Sequence, residues 1–495
     1  MEGHSAAGKP QPGTGKLPWR WLLLIVAGSL AVQLLASANV KLLPDYDEAI
    51  YWDVSHNCHE RGLFIRSQNQ GHLFFDHPPL FLYLASPSFF FTDDIAGFRF
   101  VVSLMSLALL VATALLASRH LGADAAVPAA ALLGFNPMFV FYANSGYQDV
   151  PFMLPTMLAF LAAFEGRAIA CGLLTGAAFL VKYFAAGFAG ALALYQAAAP
   201  ERGPRQAARH LAVFGSLALL WPVTGLWLDS AGFLGKIGYW KTFLTMESTT
   251  AIKHHPVAEM GPYVKSIVDR LTLPHTLLLL LAIAWALTNL RKFDWPMRTV
   301  TLTAVAYIAT LLGPFALRSE RYMVEALPLL AILGAGLLRG LTRQARAAAL
   351  ALVSVAGLFI PMPGASRLPP LVRPQYTATV LKYAEDVRLA AQEVARALPP
   401  GERVLVNWNG PRIGYLARRP YSVLFTREDF ESAAKLVDDA RILVRDHESG
   451  RWFLPELAPD QIERLERKLA AEFTFADFGK VRVYTRRSAS GVGRS

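Results

Sequence analysis

Leu42-Leu43-Pro44-Asp45-Tyr46-Asp47-Glu48-Ala49-Ile50-Tyr51-Trp52-Asp53 sets three aspartates and a glutamate directly beyond an apolar run at 19–39. The run is long enough to cross a bilayer, and acids at the edge of such a span need a reason. Carboxylates at a lipid boundary lose solvation, so a chain keeps them there for a cation, a proton to be accepted or a substrate. The plain alternative is a solvated loop that begins where the helix ends.

The rest of the composition agrees with a membrane setting. Of 495 residues, 54% are hydrophobic and 17% charged, and the mean hydropathy is +0.34, on the apolar side of globular chains. A net charge of +11 would suggest nucleic acid in a soluble protein. Here the Lys and Arg residues cluster in short gaps between apolar runs, so topology accounts for the charge and no nucleic-acid partner is expected. Of the two cysteines, Cys58 falls in a polar loop and Cys171 in an apolar segment, which argues against a disulfide between them and offers no Cys-based metal site. Residues 1–18 read as a disordered cytoplasmic amino terminus, followed by an uncleaved signal anchor.

A spanning helix needs about 20 apolar residues. Candidate spans are 19–39, 98–118, 125–143, 149–165, 207–228, 271–290, 297–317, 322–339 and 346–361. The segment 168–199 is too long for one simple span and carries Lys182 at its centre. Divided into two short helices meeting near Lys182, it puts Arg119, Arg167, Arg202, Arg205, Arg209, Arg291, Lys292, Arg298, Arg339, Arg343 and Arg346 on the side of the amino terminus, as the positive-inside rule asks. The expectation is a polytopic α-helical protein of about 11 transmembrane segments, with Lys182 near the outer surface.

That topology sets two loops and the carboxy-terminal part outside. The expected division is a transmembrane module over 19–363 with outer loops 40–97 and 229–270, a soluble extracytoplasmic α/β domain over 364–485, and a flexible tail over 486–495. In the first loop Phe74, Phe75, Phe81 and Tyr83 flank His77-Pro78-Pro79, suggesting short interfacial helices broken by the proline pair. After Pro361, helical patterns at 375–398, 428–438 and 459–471 alternate with strand-like runs at 404–408, 422–425, 441–444 and 481–484, the pattern of a small α/β domain. No Gly-rich phosphate loop and no repeat of fixed period is present.

The acids expected at the outer boundary are Asp45, Asp47, Glu48, Asp53, Asp76 and Asp149. Asp149 could face Asp47 across a cleft, or simply cap its helix ahead of Pro151. The cations at that level are Lys182, Arg318 and Arg321, with His77, His254 and His255 of undecided charge, a set suited to an anionic headgroup such as a phosphate. The alternatives are a local pairing of Arg318 and Arg321 with Glu320 or Glu325, and snorkelling of Lys182 to the lipid surface. The spacing of His56, His59, His72 and His77 matches no compact ligand motif. No metal is assigned; were a divalent cation to bind, Asp76 with His254 or His255 is the place for it.

The pair Asp47-Glu48 after the first span, Asp76-His77-Pro78-Pro79-Leu80 in the outer loop, Asp149 after the third span and Arg321-Tyr322 ahead of a span bearing Pro328 together resemble the membrane glycosyltransferases of the GT-C fold. The likeness covers about 19–361 and points to bacterial relatives of protein mannosyltransferases and of the aminoarabinose transferase that modifies lipid A. The resemblance implies an inverting glycosyltransferase in the cell inner membrane. It would move a sugar from a polyprenyl-phosphate donor to a hydroxyl-bearing acceptor on the outer face. It also implies that Asp47 is the base or acceptor-orienting acid, supported by Glu48 and by Asp149 as second carboxylate. Asp76, His77, Lys182, His255, Arg321 and Tyr322 would bind substrate, with Lys182 and Tyr322 near the donor phosphate. Asp76-His77 stands where the aminoarabinose branch has Glu-Lys, a departure that argues against a lipid A sugar.

The physical logic also stands apart from the family: a polyprenyl donor dissolves only in the bilayer, so its phosphate lies at the interface. There a carboxylate can take the acceptor's proton while basic groups receive the leaving phosphate. Two other classes fit the same residues: a transporter or flippase of a polyprenyl-linked intermediate, and a scaffold whose outer domain binds a partner.

Overall fold

The computed structural model describes residues 17–40, 46–67, 73–244, 256–312, 320–359, 378–407, 410–424, 430–447 and 458–487. The chain forms two compact units. One comprises residues 1–40, 76–81 and 96–373; the other comprises residues 41–75, 82–95 and 374–495.

The first unit is helical. Among the described residues, Trp19–Ala36, Ile95–Leu121 and Pro204–Leu228 are long and apolar enough to cross a membrane, and two bent helix pairs raise the number to five if each counts as one span. Shorter apolar helices cover Asp149–Phe164, Ala168–Phe179, Ala185–Ala198 and Leu327–Leu338. The single span expected over 125–143 is a pair of helices, Ala123–Gly134 and Pro137–Ala143, bent by 70°. The cause is local: Pro137 resists a helical residue before it, and the Asn136 side chain accepts hydrogen bonds from Met138 N and Phe139 N, starting a new helix. A second pair, Gly261–Leu271 and Leu273–Thr288, bends by 106° at Thr272, whose φ of 68° is left-handed.

Leu327–Leu338 is buried around almost its whole circumference, as expected of a helix that is apolar on every side. It packs against Leu273–Thr288 and Ala126–Gly134. The outer helices do the reverse. Trp227 is 82% exposed and Leu352 is 68% exposed, with Leu219, Leu220, Val223 and Leu226 also open on Pro204–Leu228. In water such a surface would be a liability, whereas hydrocarbon covers it at no cost.

Ala168–Phe179 and Pro204–Leu228 approach closely because Gly172 and Gly176 lie one turn apart. A Cβ on Gly172 would come within 2.7 Å of the His210 carbonyl oxygen, and one on Gly176 within 2.6 Å of Leu217. Thr175 Oγ1 lies 3.1 Å from His210 Nε2 across the same contact. This is the small-xxx-small packing of membrane helices, where dispersion and a few hydrogen bonds replace the hydrophobic drive.

One end of this unit gathers five of the eleven cations set on the amino-terminal side by the sequence. Arg119 and Arg167 pair with Glu165, Arg339 and Arg346 with Asp124, and Arg202 donates to the Phe164 carbonyl. The helix Asp149–Phe164 runs from this end to the other, roughly 24 Å at 1.5 Å per residue. Its first residue therefore lies about one hydrocarbon thickness from that cluster.

In the second unit a five-stranded sheet has the order β2-β1-β3-β5-β4, made of β1 (Val404–Val406), β2 (Tyr421–Val423), β3 (Ile442–Asp446), β4 (Phe473–Asp477) and β5 (Val481–Arg486). β1 pairs in parallel with β2 and β3, and the β3/β5 and β5/β4 pairs are antiparallel. Alternate residues feed two cores. Val404, Val406, Ile442 and Val444 face the helices Ala378–Ala397 and Gly410–Ala417, while Leu405 and Leu443 face Phe430–Asp439 and Pro459–Glu472.

The acid-bearing stretch is the helix Tyr46–Arg61 of this unit, which packs on Gly410–Ala417. Trp52 meets Tyr415 edge to face with centroids 4.7 Å apart, and the Arg418 guanidinium lies over the Trp52 ring at 5.6 Å. Asp53 accepts hydrogen bonds from the Ser67 amide and hydroxyl, and Arg403 donates to the Ser67 and Tyr421 carbonyls. The second unit thus takes residues 41–75 and 82–95, most of the expected 40–97 loop, together with the α/β domain.

Gly176→Val forces the two helices apart and should lower stability by about 1–3 kcal/mol, read as a lower unfolding temperature in detergent. Gly215→Ala on Pro204–Leu228, with open space around its Cβ position, should leave that temperature unchanged or raise it.

Candidate active site

At the end of the first unit opposite the arginine cluster, three breaks in helical structure meet. The turn after Pro137–Ala143 delivers Asp149 as the first residue of its helix. Residues 180–184, between Ala168–Phe179 and Ala185–Ala198, deliver Lys182. The short 3-10 helix Glu320–Glu325 ahead of Leu327–Leu338 delivers Arg321, Tyr322 and Glu325. Leu80 N donates to Leu180 O at 2.9 Å, tying the His-Pro-Pro segment to the second break.

The Lys182 ammonium donates to Asp149 Oδ1 at 2.5 Å and to Glu325 Oε1. Asp149 is 2%, Lys182 5% and Glu325 0% exposed. Tyr307 donates its hydroxyl to Glu325 Oε2 at 2.5 Å, with the Tyr322 carbonyl at 3.3 Å. Lys182 Nζ also lies 4.6 Å from the Tyr322 ring centroid and 4.9 Å from that of Phe184. Arg321 stacks over Tyr147 at 5.2 Å and Tyr322 at 5.1 Å and adds a second positive charge near Asp149. The carboxylates of Asp149 and Glu325 are neighbours. In a low dielectric such a group survives only because each charge is matched and hydrogen-bonded.

Two of the alternatives weighed on sequence do not hold here. Lys182 does not snorkel to the lipid surface, because two buried carboxylates hold it. Asp149 does not cap its helix: the capping position is Gln148, with no side-chain cap bond, and the carboxylate turns to Lys182 instead.

Asp76 pairs with Lys236 at a half-buried position. The His77 ring lies 6.4 Å from that of Tyr183, whose hydroxyl accepts a hydrogen bond from Trp221 at 2.9 Å. Desolvation and the positive charge of Lys182 push the His77 imidazolium down to about 3, so His77 is neutral at physiological pH and adds no positive charge for an anion.

Beside Lys182, a cavity of about 390 Å³ opens between Ala185–Ala198 and Trp295–Leu312, lined by Tyr183, Phe184, Phe188, Ala306, Tyr307 and Leu311 among others. Its wall is mostly apolar, with Tyr183, Thr303, Tyr307 and Thr310 as the residues that carry hydroxyls, and Tyr307 belongs to both cavity and ion cluster.

Of the site residues expected from sequence, the structure brings together Asp149, Lys182, Arg321 and Tyr322, with His77 and Asp76 on the adjoining segment. Asp47 and Glu48 occupy the first turn of Tyr46–Arg61 in the second unit, Asp47 half-exposed and Glu48 buried at 2%. His254, His255 and Arg318 lie outside the described residues. Among the described residues no three His, Cys, Asp or Glu side chains converge as a metal site would require. Sequence reasoning weighed Glu325 only as a local partner of Arg318 or Arg321 and did not single out Tyr307. The signal for Glu325 was available, since an ionisable residue inside an apolar run marks a site or a partner for one.

The helical architecture is similar to that of GT-C membrane glycosyltransferases, and residues 76–227 match the model of the dolichyl-phosphate-mannose-protein mannosyltransferase family. The crystal structure of ArnT from Cupriavidus metallidurans bound to undecaprenyl phosphate superposes with a TM-score of 0.67 at 16% identity, covering 96% of this chain and 100% of that one. Its apo state gives 0.64 at 17% identity, over 96% and 99%. The arabinofuranosyltransferase AftD from Mycobacteria gives 0.55 at 16% identity over 97% of this chain, which spans 40% of AftD's length. No curated protein matches the sequence.

Lys182→Met strands two buried carboxylates and should cost about 3–5 kcal/mol of stability. The triple change Lys182→Met, Asp149→Asn, Glu325→Gln should recover most of that loss, compared by thermal unfolding in detergent.

Proposed function

We propose that this protein transfers a sugar, with inversion, from a polyprenyl-phosphate donor to a hydroxyl-bearing acceptor at the outer face of the cytoplasmic membrane. One observation carries the reading: a buried Asp149–Lys182–Glu325 cluster flanked by Arg321 stands beside an apolar cavity. The fold is shared with a transferase captured with undecaprenyl phosphate. A lipid phosphate needs both a cation in a desolvated setting and an apolar wall for its chain, and these lie side by side.

In the proposed reaction Asp47 accepts the proton of the acceptor hydroxyl as that oxygen bonds to the sugar's anomeric carbon. The bond from that carbon to the phosphate oxygen breaks, and polyprenyl phosphate leaves with the electron pair. Glu48 supports Asp47. Lys182 and Arg321 receive the phosphate, with Tyr322 beside them. Asp149, expected from sequence to be a second catalytic carboxylate, acts through Lys182 by fixing its ammonium. Nearby carboxylates also favour the positive character that develops at the sugar carbon. The arginine-rich end is assigned to the cytoplasm and the Lys182 end, with the carboxy-terminal domain, to the outer side, in a multi-pass arrangement of about 11 segments.

With radiolabelled polyprenyl-phosphate sugars, Asp47→Asn should lower transfer by at least about 100-fold and leave polyprenyl-phosphate binding intact. Unchanged product formation would remove Asp47 from the mechanism. For topology, Arg388→Cys in a Cys58→Ser, Cys171→Ala background should react with a membrane-impermeant maleimide in spheroplasts; protection there with labelling only after lysis would invert the orientation.

A further inference from the structure

The charges around Lys182 do not balance until Arg321 is counted. Asp149 is the carboxylate that feels Arg321 as well as Lys182. Glu325 accepts from the Lys182 ammonium and from the hydroxyl of Tyr307. Two of the three ammonium hydrogens are already given to carboxylates, so an incoming anion competes with Glu325 for the same cation and is repelled by it at close range.

We propose that Glu325 is a positioning residue that sets how tightly Lys182 holds an anionic lipid phosphate, keeping the affinity low enough for the leaving group to depart. This rests on the reading of Lys182 as the phosphate-binding cation. Tyr307 fixes the Glu325 carboxylate from the cavity side, its ring lining the space assigned to the lipid chain. The device has a simple logic. A transferase must release polyprenyl phosphate after each turnover, and a buried lysine matched only by its ligand would hold that product too long.

The test uses the full-length protein in detergent and a short-chain polyprenyl phosphate as probe. Glu325→Gln keeps the shape and an oxygen acceptor for Lys182 but removes the charge. It should bind the probe roughly ten-fold more tightly than the wild type, with KM and kcat for transfer both falling as product release slows. Tyr307→Phe leaves the charge in place and should not tighten binding. A merely structural Glu325 would give weaker or unchanged binding in Glu325→Gln, and either result overturns the proposal. If the wild type binds the probe and Lys182→Ala loses it while Glu325→Gln does not tighten it, Glu325 alone is misassigned. If the wild type does not bind the probe, the phosphate role of Lys182 falls and the proposal with it.

Discussion

An ammonium group cannot stay in a protein interior bordered by lipid unless something of opposite charge meets it there. Lys182 is that group, and much of one end of the helical unit is arranged to meet it. Three helical breaks, at 144–148, 180–184 and 320–325, converge on it. A continuous helix at any of the three would carry its side chain along a helix flank instead of to this point. The breaks are made by ordinary means, a short turn before Pro151, a five-residue gap and a short 3-10 helix, and each delivers charged residues to the cluster.

The same arrangement joins stability to chemistry. A buried lysine between two carboxylates is costly to assemble and is seldom the most stable option for a core. Its retention makes sense where an anion must be received in a place that water does not reach. The cavity beside it, walled by Phe184, Phe188 and Leu311, is poor surroundings for a sugar and good ones for hydrocarbon. The aromatic faces of Tyr322 and Phe184 over the ammonium hold the cation without adding further negative charge.

The second unit follows a different rule. Its sheet is soluble in character, with two cores on opposite faces, and it takes the helix Tyr46–Arg61 and the 82–95 segment into its own packing. The acidic stretch is consequently a helix seated on Gly410–Ala417 through Trp52, Tyr415 and Arg418. Glu48 and Asp53 are buried within this unit, so the acids beyond the first span are built positions and not a solvated tether.

Sequence by itself determined the parts whose signal is local. Apolar runs marked the long helices, the lysine in mid-segment marked the break at 180–184, and short strand-like runs marked four of the five strands. It missed β4, a partly exposed edge strand that follows its helix with no turn residue between, and the eight-residue helix Gly410–Ala417. Bends of 70° and 106° also escaped it, because hydropathy counts apolar residues and is blind to direction. Only the tertiary structure decided which charges meet. Lys182 is 33 residues from Asp149 and 143 from Glu325, and no periodicity reaches across such a separation. Burial forces every charge to find a partner, but which partner depends on how helices pack.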